Sequence, residues 1–281
     1  MYRRPLNTLP APGFVRALLP ALACGQTVQY FTIDPTPPGA PLEKTIGYYT
    51  STTLPSVAIG SNSGDGGPGG MYLHTSSGDL SGPWTQSVID PSGDFYERAV
   101  PLAHAGDTYP GIVASRSGQL VSYWNPLNWG GDPTQPWPME VINPNAGCHD
   151  IKVVDVDGDG KPDIVCSATY YGPWQSLIAY QNSYDSWQIR TNPFRDSNGN
   201  GIGDSVALAS INGSARTNVV GATPTGVYWF KNPGRNRSGT WAAHLVGTAG
   251  NKNDFGETSI GTVPYGGTSD AIIVASNEEP T

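Results

Sequence analysis

The chain has 281 residues, with 36 Gly, 26 Pro, 8 Trp and 14 Tyr but only 14% charged side chains. That mix fits many short strands joined by turns and leaves little room for helices. A formal net charge of −8 argues against a groove for nucleic acid.

In chain order, "MYRRPLNTLPAPGFVRALLPALACGQT" comes first. Early arginines, an apolar run Ala17–Ala23 and small residues at Ala21, Ala23 and Gly25 read as a secretory signal over residues 1–25, with Arg16 and Pro20 interrupting its apolar core; a disordered start is the alternative. The expected location is therefore extracellular. No other stretch is long or apolar enough to span a membrane as a helix. Gly13–Ala23 is also the best helix-period stretch, so residues 26–281 read as one all-β domain.

From residue 42 the chain repeats. Aromatic strands recur as "GMYLHTS" (70–76), "LVSYWNP" (120–126), "LIAYQNS" (177–183) and "GVYWFKNPG" (226–234). Each is followed by a tryptophan segment at Trp84, Trp137, Trp187 and Trp241, at steps of 53, 50 and 54 residues. Each is preceded by an apolar strand: "PSVAIG", "PGIVAS", "PDIVCS" and "TNVVGA", with "SDAIIVAS" opening a fifth unit. One unit is thus an inner strand, an apolar strand, an aromatic strand and a tryptophan strand, which is a blade of a β-propeller. The blades fall at about 42–90, 94–144, 148–193, 203–247 and, in part, 254–281. Four and a half blades are expected to be a piece of a larger, seven-bladed ring; alternatively "TVQYFTI" (27–33) helps to close a small one.

The third unit carries the strongest chemical signal. Asp155-Val-Asp157-Gly-Asp159-Gly-Lys161-Pro-Asp163 sets oxygen donors at positions 1, 3, 5, 7 (the Lys161 carbonyl) and 9, the spacing of a calcium loop. Position 12 is Cys166 rather than Glu, and the flanks "IKVV" and "DIVC" are short and β-branched, so the loop caps a β-hairpin and is not an EF-hand. The corresponding turns of blades two and four lack the carboxylates to hold Ca²⁺. A second stretch, "DSNGNGIGD", repeats the spacing with Asp196, Asn198, Asn200, the Ile202 carbonyl and Asp204. It is either a weaker calcium loop or a metal-free Gly/Asn turn. Cys148 and Cys166 are expected as two buried thiols. A straight hairpin separates them by about four residues at ~3.3 Å each, too far for a disulfide.

The D-x-D-G-D-G-x-x-D loop followed by I-V and by "YWFKNPG" resembles the FG-GAP/VCBS repeats of calcium-binding propellers over roughly residues 42–281. More narrowly, "FYERAVPLAHAGDTYPGIVASRSGQLVSYWNP" with "NAGCHDIKVVDVDGDG" is similar to fungal secreted propellers, among them the propeller domain of aldos-2-ulose dehydratase and rhamnose–glucuronate lyases. The resemblance implies a carbohydrate substrate and a carbon–oxygen lyase or dehydratase activity, with calcium as the metal. A non-catalytic, lectin-like propeller is the alternative.

The propeller topology sorts the candidates for such chemistry. Tyr96, Glu97, Arg98, His149, Asp150 and Glu257 fall on connections between blades, and Arg116, Tyr170, Tyr171 and Trp174 on loops after the apolar strands, which share that face. His104 falls on the opposite face, and His74 and His244 on outer strands. For β-elimination, His149 is the expected base, Arg98 or Arg116 the enolate stabiliser, and Tyr170 or Tyr171 the acid. Tyr96, Glu97 and Trp174 are expected to contact sugar. No Ser/His/Asp nucleophile signature, zinc-spaced cluster or phosphate loop competes with this reading. Asn212-Gly-Ser and Asn236-Arg-Ser are glycan acceptor sequences.

Overall fold

The computed structural model describes residues 16–17, 31–35, 39–62, 69–92, 96–167, 176–203, 205–211, 216–248, 258–265 and 268–275. Two short strands, β1 (Arg16–Ala17) and β2 (Phe31–Thr32), pair with each other. Four antiparallel sheets follow, each of four strands in consecutive order. Blade one is β3 (Ala40–Gly47), β4 (Ser56–Asn62), β5 (Gly70–Ser76) and β6 (Trp84–Asp90). Blade two is β7 (Tyr96–Leu102), β8 (Gly111–Arg116), β9 (Gln119–Tyr123) and β10 (Met139–Asn143). Blade three is β11 (Ile151–Val154), β12 (Asp163–Cys166), β13 (Leu177–Ser183) and β14 (Ser186–Thr191). Blade four is β15 (Ala207–Ala209), β16 (Asn218–Thr223), β17 (Gly226–Lys231) and β18 (Ala242–Gly247). Two strands of the next unit, β19 (Thr258–Tyr265) and β20 (Thr268–Ala275), form a further pair. Among the described residues there is no α-helix, only a 3-10 turn at Pro126–Trp129. The fold is a β-propeller of four-stranded blades, in the strand order expected from the repeat.

Among the described residues, the three largest apolar clusters lie between blades rather than inside one of them. The apolar second strands are buried along nearly their whole length: β4, β8, β12 and β16 pack neighbours on both faces. That is why they read as continuous apolar runs, whereas the outer strands β6, β14 and β18 face water. Tyr49 and Leu73 of the first unit pack with Tyr96, Ile112 and Tyr123 of the second. Val113 and Leu120 meet Ile164 and Leu177 of the third, and Val165 and Tyr180 meet Val219 and Phe230 of the fourth. The repeated Asn-Pro of the aromatic strand ties blades by hydrogen bonds. Asn125 Nδ2 donates to the Tyr49 carbonyl (2.8 Å), and Asn232 Nδ2 donates to the Val156 carbonyl (2.8 Å).

Two expectations are corrected here. Within "TVQYFTI" only Phe31–Thr32 is a described strand, and it pairs with Arg16–Ala17 instead of completing a blade. Ile33 then packs on Val57 and Ile59 of blade one, and Asp34 pairs with buried His74 (3.0 Å). Second, Cys148 and Cys166 form a disulfide, with Cα atoms 5.4 Å apart. The β11–β12 ladder places Ile151 opposite Cys166, close to the predicted register, but it ends at Asp150 and Ser167. Upstream of that point the chain leaves the strand, and the Cys148 N–H donates to Ser115 Oγ of blade two (2.9 Å). That turn, invisible to an argument from straight strands, brings the sulfurs together. With the cysteines 18 positions apart in sequence, replacing both by Ala should cost about 3 kcal/mol. Equal urea midpoints for wild-type and double-mutant protein would refute this.

Candidate metal centre and first-strand cluster

The β11–β12 connection is a tight acidic loop whose backbone folds around its first carboxylate. Gly158 and Gly160 have φ of 80° and 87°, conformations that side-chain-bearing residues rarely adopt, and they let the backbone fold back on Asp155. The N–H groups of Gly158 and Asp159 donate to Asp155 Oδ1 (2.7 and 3.1 Å), and that of Gly160 to Oδ2 (2.9 Å). One carboxylate oxygen each from Asp155, Asp157 and Asp159 lies within 4.8 Å of the others. An all-oxygen, carboxylate-rich set of this kind fits a hard cation such as Ca²⁺.

Asp163, predicted as the ninth-position ligand, is fully buried and anchors the hairpin. Its Oδ2 accepts the Val156 N–H (2.9 Å) and its Oδ1 the Gln181 N–H (3.0 Å). Burial pushes its carboxyl up to about 6 despite those donors. Lys161 closes the loop, its Nζ lying 2.6 Å from Asp159 Oδ2.

The second stretch behaves differently. Asp196 Oδ1 accepts the N–H groups of Asn198 (2.8 Å) and Asn200 (2.9 Å). Its Oδ2 accepts from the Asn200 amide (2.9 Å), Thr223 (3.0 Å) and Thr225 (2.5 Å). Burial opposes ionisation there, but the donors of Thr225, Asn200 and Thr223 outweigh it and bring the carboxyl down to about 2. Asn198 is exposed and the Ile202 side chain is core. Asp204 lies outside the described residues. Five donors already satisfy Asp196, which is the pattern of a hydrogen-bonded turn.

A second cluster sits where the first strands of blades one to three run side by side. Glu43 opposes Gly60, Arg98 opposes Ser115, and Asp150 exchanges hydrogen bonds with Ser167, so the three occupy one repeat position. Arg98 bridges its neighbours: Nη1 is 3.5 Å from Glu43 Oε2 and Nε is 3.5 Å from Asp150 Oδ1. Its Nε also donates to the His149 carbonyl (3.3 Å). Lys152 Nζ lies 2.8 Å from Asp150 Oδ2, and the Val206 N–H of blade four donates to the same oxygen (3.1 Å). The partners of Asp150 are therefore Lys152, Arg98 and backbone N–H groups. Burial raises the Glu97 carboxyl above its usual range, opposed by the nearby His149 and Arg98. Burial likewise raises Glu43 against the pull of Arg98.

The structure thus gathers Glu97, Arg98, His149 and Asp150, as expected, and adds Glu43 and Lys152. Aligning the units on their apolar strands would have found Glu43, which shares the position of Arg98 and Asp150. Two expectations fail. Tyr96 is not at an open surface: it is 0% exposed, with its hydroxyl 2.5 Å from Asp90 Oδ2 and 2.7 Å from the Tyr123 hydroxyl. A bulge between Tyr96 and Arg98 breaks the strand alternation and turns the ring inward. Arg116 joins that buried group, its Nε 3.1 Å from Asp90 Oδ2, rather than the His149 cluster. Tyr170, Tyr171, Trp174 and Glu257 lie outside the described residues.

The acidic loop lies within the stretch that a comparison with known families recognises. Residues 152–185 match the FG-GAP repeat. The match begins on β11, contains the whole acidic loop and ends after β13, so it coincides with the first three strands of blade three. A search of curated proteins finds no match to the chain.

Proposed function

We propose that the protein is a secreted, calcium-stabilised propeller that acts on carbohydrate as a carbon–oxygen lyase or dehydratase. The observation that carries this reading is the half-buried set of Glu97, His149 and Arg98 at the border of blades two and three. β-Elimination needs these group types. The His149 imidazole takes the proton from the carbon α to a carboxylate, and that C–H electron pair becomes the new C=C bond. The C–O bond at the β-carbon breaks, and the leaving oxygen takes its proton from the Glu97 carboxyl, which burial shifts toward its protonated form. Arg98 faces the charge that develops on the substrate carboxylate. Calcium in the 155–163 loop would supply charge neutralisation to the hairpin.

Export is supported by the Cys148–Cys166 disulfide, since such bonds persist in oxidising compartments, and by the exposed acceptor Asn236. A lectin-like role is the second reading, favoured by the prior engagement of Arg98 and Lys152 with Glu43 and Asp150. Incubation with acidic plant polysaccharides separates the two. Elimination generates the ultraviolet absorbance of an unsaturated uronate. Saturable sugar binding without that absorbance leaves the binding role alone.

A further inference from the structure

Arg237 lies in the β17–β18 connection of blade four, yet its side chain ends inside the acidic loop of blade three. Its Nε is 2.6 Å from Asp157 Oδ2 and its Nη2 3.2 Å from Asp159 Oδ2. The rest of the guanidinium is fixed independently of those carboxylates. Nη1 donates to Asn182 Oδ1 (2.6 Å), Nη2 to the Gln181 carbonyl (3.1 Å), and the group sits 5.1 Å over the Tyr180 ring. The backbone around it is held too, with Arg190 Nη1 donating to the Arg237 carbonyl (2.8 Å) and Arg235 Nη2 to the Gly158 carbonyl (3.2 Å). Only 18% of the Arg237 side chain is exposed.

We infer that Arg237 is a built-in counter-cation of the metal loop, donated by the next blade, which neutralises Asp157 and Asp159 when calcium is low. Asp155, Asp157, Asp159 and Asp163 bring four formal negative charges to nine residues, of which Lys161 offsets one. Without a cation that concentration of charge would drive the hairpin open. A guanidinium held by Tyr180, Gln181 and Asn182 supplies a second offset at no cost in loop conformation. Because it is fixed in place, it stays when calcium enters and repels the ion. The loop therefore remains folded without metal, at the expense of affinity. The inference rests on the calcium reading of this loop.

The test compares Arg237→Gln with Arg237→Lys by calcium titration calorimetry and by melting in calcium and in chelator. The Gln protein should bind calcium about threefold to tenfold tighter, because a fixed positive charge next to the ion is gone. Its melting temperature should fall more in chelator than in calcium, since the two are linked. The Lys protein keeps the charge and should bind within about twofold of wild type. Unchanged or weaker calcium binding by the Gln protein overturns the proposal, as does a Gln protein that fails to fold even in calcium. If no protein, wild type included, gives a calcium signal, the calcium reading itself falls, and this inference falls with it.

Discussion

Chelation should lower the melting temperature of the intact protein by about 5–10 °C, and Asp157→Ala should remove most of that difference. The estimate follows from linkage. A ligand at about 100 times its Kd stabilises the folded state by about 2.7 kcal/mol. A chain of this size shifts by about 2–4 °C for each kcal/mol. Asp157 is the residue to change because it is the buried member of the acidic trio, 6% exposed, and its Oδ2 is already aligned by Arg237. Loss of this side chain takes a ligand from the ion and the 2.6 Å partner from Arg237, so the metal-free mutant should also melt below metal-free wild type. A melting temperature of wild-type protein that does not respond to chelator would sink the structural role of calcium at this loop.

What could be read from residue types alone was whatever the repeat repeats. The apolar second strand, the aromatic third and the tryptophan that opens the fourth are set by burial between blades, and burial leaves its mark at every unit. The acidic loop could be read for a related reason: oxygen donors at alternate positions are a local pattern. Features that escaped depend on where chain segments go after a regular element ends. Cys148 reaches Cys166 because the backbone turns before Asp150 and is held by Ser115 of another blade. Tyr96 faces the core because a bulge reverses the alternation that would have exposed it. Arg237 contacts Asp157 across 80 residues of sequence, through a loop whose path no periodicity encodes.

His149→Ala is the substitution on which the proposed chemistry stands or falls. The residue lies just ahead of β11 and is half-buried, and its carbonyl accepts from Arg98 Nε (3.3 Å), which ties its backbone to the blade wall. Removing the ring should therefore leave the Glu43–Arg98–Asp150 bridge in place and change the melting temperature little. Turnover on an acidic polysaccharide should drop by roughly 10²–10⁴-fold, the usual worth of a positioned general base. Glu97→Gln supplies the complementary test. If Glu97 gives up the proton, the Gln protein should lose the alkaline limb of the rate profile, because that limb marks where the burial-raised carboxyl gives up its proton. Both effects belong to kcat, while sugar affinity should be nearly unchanged in either protein. A His149→Ala protein with full turnover would remove the base from the mechanism. If wild type binds sugar without turnover, weaker sugar binding by the His149→Ala protein would identify the first-strand cluster as a binding wall.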